Sequence, residues 1–177
     1  MRKFLFTAIL WTIIGLLLAC QDDALKYTKQ WQGREILFPS NTVFTKYAKD
    51  TIDFNIEGKC KLLIYADSVG CSSCKLKLQE WKTFMSEFSD TDSVAFIFVV
   101  HPKSQDAITV LLKSNLFRHP TFIDYNDDTN RINHFPNDFL YQTFLLDRNN
   151  RVILVGNPIL TPSLKPLYKR ILLGSQM

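Results

Sequence analysis

The sequence of 177 residues has no internal repeats, no low-complexity tracts and no strong excess of one charge. Its formal net charge is +4, from 21 Lys and Arg against 17 Asp and Glu, and the basic residues are dispersed along the chain. A nucleic-acid-binding protein usually concentrates its basic residues on one face or stripe. Apolar residues make up 46% of the chain, as in an ordinary globular protein. The composition therefore favours a single globular domain and no nucleic-acid partner.

The chain also lacks an apolar run long enough for a permanent membrane span near its start. Residues 4–18 are apolar, but about 20 such residues are needed to cross a bilayer. The run follows Arg2 and Lys3 and ends at Ala19 and Cys20, the order of a signal peptide with a small residue before its cleavage point. The alternative is an uncleaved anchor in which Cys20 is incidental. Both interpretations place the rest of the chain outside the cytoplasm.

Residues 17–20 read Leu-Leu-Ala-Cys, which resembles the lipobox of bacterial lipoproteins. The resemblance implies a signal peptide over residues 1–19, cleavage before Cys20, and acylation of Cys20 on its sulfur and its new amino group. Several acyl chains hold a protein at a membrane firmly, because each buried methylene adds about 0.8 kcal/mol. The expected location is the cell envelope, lipid-anchored and facing the periplasm or the cell surface. The polar residues 20–34 are expected to form a tether.

Apolar runs and alternating patterns predict the strands. The continuous runs at residues 62–66 and 94–100 are typical of central strands that are covered on both faces. Weaker patterns predict a short N-terminal strand pair and three later strands, at residues 36–39, 51–56, 121–124, 142–147 and 151–155. The last two are joined by Arg148-Asn149-Asn150, a turn composition that favours an antiparallel hairpin.

Helical periodicity appears between these strands. One predicted helix opens at Cys71, and its apolar stripe is Cys74, Leu78, Trp81, Met85 and Phe88. Lys75 falls off this stripe and is expected on a solvated face. A second helix is capped by Ser104, with Ile108, Leu111, Leu112 and Leu116 on one face, and a third begins at Thr161 and Pro162. The order predicts an α/β sandwich over residues 35–177, with a central mixed sheet flanked by helices.

Cys71 and Cys74 stand at positions i and i+3 of the first predicted helix, close enough to form a disulfide. Free N–H groups and the positive end of the helix dipole favour a thiolate at Cys71 and lower its pKa from about 8.5. Cys71 is therefore the expected nucleophile toward a substrate disulfide. Cys74, expected to be more buried on the Leu78 and Trp81 face, would resolve the mixed disulfide. Cys60 remains as a single thiol.

The strand at residues 62–66, the Cys71-Ser72-Ser73-Cys74 motif and the amphipathic helix together resemble the active-site unit of thioredoxin-like proteins. Residues 142–152 resemble a segment of the membrane-tethered TlpA/ResA branch, and the strand at 121–124 fits that branch and the AhpC/TSA redoxins. The resemblance implies a thioredoxin-like sandwich and an extracytoplasmic thiol-disulfide oxidoreductase. It would exchange disulfides with protein substrates and a membrane redox partner, and it would need no cofactor or metal.

The sequence departs from that branch at Tyr141, where the branch has a cis-proline. A cis peptide bond before a residue other than proline costs about 2.5 to 4 kcal/mol. Either Tyr141 therefore follows a trans bond in a reshaped groove, or the loop is strained. Tyr141 and Gln142 are expected beside Cys71 and in contact with substrate. No acid stands at an obvious family position for proton transfer, and Asp67 and Glu80 are the candidates.

Two other functions remain open. One is a non-catalytic or metal-binding lipoprotein with the same fold, in which Cys71, Cys74 and a histidine hold a metal. The histidines are His101, His119 and His134, and none has close ligand spacing to the cysteine pair. The other is a thiol peroxidase with Ser68 three residues before Cys71, although the proline that this family places upstream is missing.

Overall fold

The computed structural model describes residues 25–88 and 93–174. Seven strands form one sheet in the order β2-β1-β5-β4-β3-β6-β7. They are β1 Phe44–Lys46, β2 Asp50–Thr51, β3 Cys60–Ala66, β4 Val94–Val100, β5 Thr121–Ile123, β6 Thr143–Leu146 and β7 Val152–Val155. The helices are α1 at residues 25–31, α2 Ser72–Leu76, α3 Leu78–Ser86, α4 Gln105–Ser114, α5 Asp128–Asn133 and α6 Lys165–Gly174, with 3-10 turns at Phe139–Tyr141 and Pro162–Leu164.

Strand β3 lies at the centre of the core, and all seven of its residues are buried. It pairs in parallel with β4 and antiparallel with β6, and its alternate side chains enter two apolar clusters on opposite faces of the sheet. Leu62 and Ile64 pack with Trp81 and Tyr168, whereas Leu63 and Tyr65 pack with Trp31, Phe135 and Phe144. The predicted α/β fold, a mixed central sheet flanked by helices, is confirmed.

The N-terminal strand pair exists, but at different residues from those predicted. β1 and β2 pair antiparallel, and β1 also joins β5. Residues 53–56 alternate because Phe54 and Ile56 are half-buried against the cluster that contains Trp31 and Phe144. These four residues do not form a strand. At residues 36–39, the N–H of Ile36 instead bonds the carbonyl of Asn150 in the β6–β7 turn.

The folded region begins earlier than the predicted boundary at residue 35. Trp31 is 2% exposed, and its ring lies 6.0 Å from that of Phe135 and 5.0 Å from that of Phe144. Gly33 and Arg34 exchange backbone hydrogen bonds with Val152. Residues 20–34 are mostly polar, and Trp31 alone gave no sign in the sequence that this part of the chain is packed into the fold. The prediction of a tether is therefore wrong for residues 31–34. The predicted signal peptide, Cys20 and the start of the tether lie outside the described residues.

The predicted helix after Cys71 is two helices. Lys77 adopts a left-handed conformation, with φ 42° and ψ 49°, and it both ends α2 and precedes α3. In α4, Ser104 caps the helix as predicted, but Leu116 is exposed beyond the helix end and Phe117 is buried in its place. Across the described ranges, we find no helix that is both long and apolar enough to cross a bilayer.

Replacement of Trp31 tests whether this segment belongs to the fold. We expect Trp31→Ala to lower the free energy of unfolding by about 3 to 5 kcal/mol, because a buried aromatic side chain is lost and a cavity remains. Leu25→Ala is the control: Leu25 is 52% exposed in the same helix, and its removal should change stability by less than about 0.5 kcal/mol. Denaturant unfolding measures both, and similar small effects would show that Trp31 is only loosely packed.

Candidate active site

The two cysteines lie just beyond the end of the central strand. Strand β3 ends at Ala66, and a short loop leads to Cys71, the N-cap residue of α2. The Cα atoms of Cys71 and Cys74 are 5.3 Å apart, and their sulfurs form a disulfide. Both residues are exposed. A partner's sulfur therefore has open access to the pair.

Two donors point at the sulfur of Cys71. The backbone N–H of Cys74 donates to Cys71 Sγ at 3.3 Å, and Ser73 Oγ lies 3.1 Å from the same sulfur. A disulfide sulfur carries no proton, so the Ser73 hydroxyl is the donor in that contact. The same donors would stabilise a thiolate at Cys71 after reduction, because hydrogen bonds to the charged form favour it.

Cys74 is exposed, so the expectation that it is buried on the Leu78 and Trp81 face is wrong. Leu76, two residues later, points into the core and is 1% exposed, while Cys74 stays on the surface. The left-handed turn at Lys77 then changes the direction of the chain, and Leu78 and Trp81 of α3 enter the same cluster. The predicted stripe therefore holds for α3 and fails for α2.

The loop before Cys71 is organised by the carboxylate of Asp67. It accepts the backbone N–H of Val69 at 2.9 Å and the side-chain amide of Gln142 at 3.0 Å, and it forms an ion pair with the ammonium of Lys75. The Asp67 and Lys75 side chains are only 17% and 14% exposed. This carboxylate joins three segments: the cysteine loop, helix α2 and the start of β6.

Asp67 was a candidate for proton transfer, and the structure places it in the site as an anion. Burial alone would raise the pKa of Asp67, but the hydrogen bonds from Lys75, Gln142 and Val69, with the charge of Lys75, hold that pKa below its ordinary value. The carboxylate is thus ionised at neutral pH and is poorly suited to deliver a proton there. Glu80, the other candidate, has an exposed side chain on α3, and its carboxylate lies 3.9 Å from the ammonium of Lys77.

Gln142 contacts Asp67 of the cysteine loop, and its side-chain amide is hydrogen-bonded within the protein. It is 3% exposed, and its amide donates to both Asp67 and the carbonyl of Pro136, the latter at 2.9 Å. Its backbone carbonyl accepts the N–H of Tyr65 at the end of β3. The Gln142 side chain therefore positions the loop, and the contact of this residue with substrate stays a prediction.

Tyr141 occupies the position where the cis-proline was expected by resemblance. The peptide bonds within the described residues are all trans, including the one before Tyr141. Its half-buried ring stacks on Tyr27 of α1, with ring centroids 4.2 Å apart and planes 23° apart. Of the two alternatives, the structure contains the trans bond.

Lys75 is the site residue that the sequence analysis missed. It was expected on a solvated face, yet its ammonium is bonded to Asp67 and lies 5.8 Å from the centroid of the Phe139 ring. An ion pair between residues eight positions apart leaves no helical or strand periodicity in the sequence. The signal available was only the presence of opposite charges on either side of the cysteine motif.

The histidines do not join the cysteine pair. His101 Nδ1 lies 2.9 Å from the carbonyl of Asp124, and His119 Nε2 lies 2.7 Å from the carbonyl of Phe96. Burial lowers the pKa of His119, and the bond to Phe96 only partly opposes this shift. Within residues 25–88 and 93–174, no three His, Cys, Asp or Glu side chains are grouped so that they could hold a metal ion.

Comparison with solved structures identifies the fold. StoA from Bacillus subtilis aligns with 71% of this chain and 94% of its own chain, with 18% sequence identity and a TM-score of 0.52. A thiol-disulfide oxidoreductase from Bacteroides fragilis aligns with 76% of this chain and 99% of its own, with 13% identity and a TM-score of 0.57. For the thioredoxin domain of a thiol-disulfide oxidoreductase from Bacteroides vulgatus, the shares are 77% and 96%, the identity is 14% and the TM-score is 0.57. The chain therefore has a thioredoxin-like fold. No family model and no curated protein matches it.

Gln142→Ala tests the positioning role of this side chain. The substitution leaves the buried carbonyl of Pro136 and one oxygen of Asp67 without their donors, so we expect a loss of about 1 to 3 kcal/mol in the free energy of unfolding. The control is Gln79→Ala, which removes an exposed amide bonded to Asn115 and should cost less than about 0.5 kcal/mol. Equal losses in chemical denaturation would contradict the role assigned to Gln142.

Proposed function

We propose that the protein is an extracytoplasmic thiol-disulfide oxidoreductase that exchanges disulfides with protein substrates through Cys71 and Cys74. The observation that carries the proposal is the exposed disulfide at the start of α2, directly after the central strand of a thioredoxin-like sheet. Its similarity to solved structures described as thiol-disulfide oxidoreductases supports the same activity. No cofactor is needed, because the two sulfurs carry both electrons.

In the reducing direction, the Cys71 thiolate attacks a substrate disulfide. A bond forms between Cys71 Sγ and one substrate sulfur, and the other substrate sulfur leaves as a thiolate that takes up a proton. Cys74 then loses its proton and attacks Cys71 Sγ. This step forms the Cys71–Cys74 disulfide and releases the second substrate thiol. Two electrons pass to the substrate, and a membrane redox partner would restore the dithiol. The same steps in reverse oxidise a substrate dithiol.

Apolar and aromatic side chains around the disulfide suit a protein substrate. Val69, two residues before Cys71, is 71% exposed, and Phe139 is exposed beside Lys75. Tyr141 stands next to Gln142 in the segment bonded to the cysteine loop, and we assign its outer edge to substrate contact. These side chains offer apolar surface to a polypeptide that brings its disulfide to Cys71.

We further propose that Cys20 carries the lipid anchor and that the active site works close to the membrane. Tyr27 lies seven positions after Cys20, so the backbone between them spans at most roughly 25 Å. Tyr27 stacks on Tyr141, one residue from the network that holds the cysteine loop. The short connection supports electron exchange with a partner in the same membrane.

Redox titration with thiol trapping tests the oxidoreductase. We expect the wild-type pair to cycle reversibly against a glutathione buffer, Cys74→Ser to accumulate mixed disulfides through Cys71, and Cys71→Ser to accumulate none. Cys60→Ala is the control, since Cys60 is a buried free thiol on β3, and it should titrate like the wild type. A pair that stays oxidised at every buffer ratio, or mixed disulfides of equal yield in both serine variants, would exclude this mechanism.

The lipid anchor has a separate test. In the wild type, the N-terminal peptide should begin at Cys20 and carry the mass of its acyl chains, and the protein should stay in the membrane fraction. Cys20→Ala removes both the sulfur that is acylated and the residue before which the leader is cut, so its N-terminal peptide should carry no acyl mass. Cell fractionation with mass spectrometry of the N-terminal peptide measures both, with Cys60→Ala as a control that should match the wild type. A wild-type protein that keeps residues 1–19 and carries no acyl chain would show that the leader is an uncleaved anchor.

A further inference from the structure

We propose that the charges of Asp67 and Lys75 act on the Cys71 thiolate in opposite directions, so that each balances the effect of the other on the redox poise of the Cys71–Cys74 pair. This inference rests on the proposed oxidoreductase function and deepens it. Both are positioning residues, since they act through the electric field and the loop geometry and not by touching the reacting sulfurs.

The pair encloses the cysteine motif. Asp67 stands four residues before Cys71, and Lys75 follows Cys74 directly, so their contact closes a loop that contains both cysteines. The backbone N–H of Lys75 also bonds the carbonyl of Cys71 at 3.2 Å. The two charges are therefore fixed relative to the motif, although they come from opposite sides of it in the sequence.

The surroundings hold the carboxylate in place. Val69 and Gln142 donate to it from the loop and from the start of β6, and Gln142 is itself held by the carbonyl of Pro136. Both charged side chains are largely shielded from water, at 17% and 14% exposure. Shielding matters because water screens an exposed pair, whereas a partly buried charge acts more strongly on its neighbours.

The effect of each charge on the sulfurs follows from electrostatics. The disulfide is neutral, and reduction creates a negative charge on Cys71. A nearby cation favours that thiolate and a nearby anion disfavours it. While both are present their effects largely cancel. Removing Asp67 leaves the cation alone, which stabilises the reduced form and makes the disulfide a stronger oxidant, and removing Lys75 does the opposite.

Other ionisable groups near Asp67 remain the same in all variants. The Tyr65 hydroxyl donates to Asp127 at 2.6 Å, and the buried Asp124 carboxylate accepts the N–H groups of Asp128 and Thr129 at the start of α5. The two carboxylates, of Asp127 and Asp124, thus accept hydrogen bonds from neutral donors. They therefore contribute a constant background to the field at the cysteine loop.

The test compares Asp67→Asn, Lys75→Gln, the double variant and Lys75→Arg in the full-length protein. Two readouts are needed: the equilibrium constant with glutathione, and the pKa of Cys71 from the pH dependence of alkylation. We expect Asp67→Asn to lower that pKa and make the disulfide more oxidising, and Lys75→Gln to shift both in the opposite sense. Each single change should alter the equilibrium constant about threefold or more, where tenfold corresponds to about 30 mV. The double variant should return toward wild type, and Lys75→Arg should stay near it.

A matched control is the exposed ion pair between Glu87 and Lys169, which joins the end of α3 to α6. Glu87→Gln and Lys169→Gln make the same charge changes away from the motif and should leave both readouts unchanged. Shifts of the same sign in Asp67→Asn and Lys75→Gln would indicate a disturbed loop and overturn the inference, as would no shift in either. If Asp67→Asn fails to fold, the contrast between Lys75→Gln and Lys75→Arg decides alone. A wild-type protein that never exchanges with glutathione would instead refute the proposed function itself.

Discussion

Strand β3 is paired along both edges and covered on both faces, so its residues have no exposed surface for chemistry. Its one charged side chain, Lys61, is buried with its ammonium bonded to the carbonyls of Lys59 and Arg148, and burial lowers the pKa of Lys61. These bonds fix the amino end of the strand to the β6–β7 turn. The carboxyl end is therefore where a reactive group can be both rigidly supported and accessible.

The support at that end comes from Asp67. Its carboxylate connects the cysteine loop to α2 through Lys75 and to β6 through Gln142, and Gln142 in turn bonds the backbone of Tyr65 in β3. The exposed disulfide thus stands on a buried polar network that is continuous with the sheet. Such a network keeps the loop in one arrangement, because breaking any member would leave a buried polar group without a partner.

Local patterns in the sequence were enough to predict much of the fold. Strand β4 has the predicted bounds, and the cap at Ser104 forms, with its hydroxyl accepting the N–H of Ala107 at 3.2 Å. The predictions that were wrong concern residues that contact distant segments of the chain. Trp31 is buried by Phe135 and Phe144, more than 100 residues away, and Lys75 reaches back across the loop to Asp67. Neither contact changes the periodicity of its own segment, so neither is visible in it.

The break at Lys77 explains why the disulfide is accessible at all. Leu76 and Leu78 are both buried, and residues two apart cannot share one face of a continuous helix. The left-handed residue between them resolves this conflict at a cost of about 1 to 2 kcal/mol, because it lets α2 and α3 each turn a leucine inward. With Leu76 inward, Cys74 points outward beside Cys71. The short α2 has little dipole of its own, so a thiolate formed at Cys71 on reduction would depend for its stability on the nearby donors of Ser73 and Cys74 and on the adjacent charges.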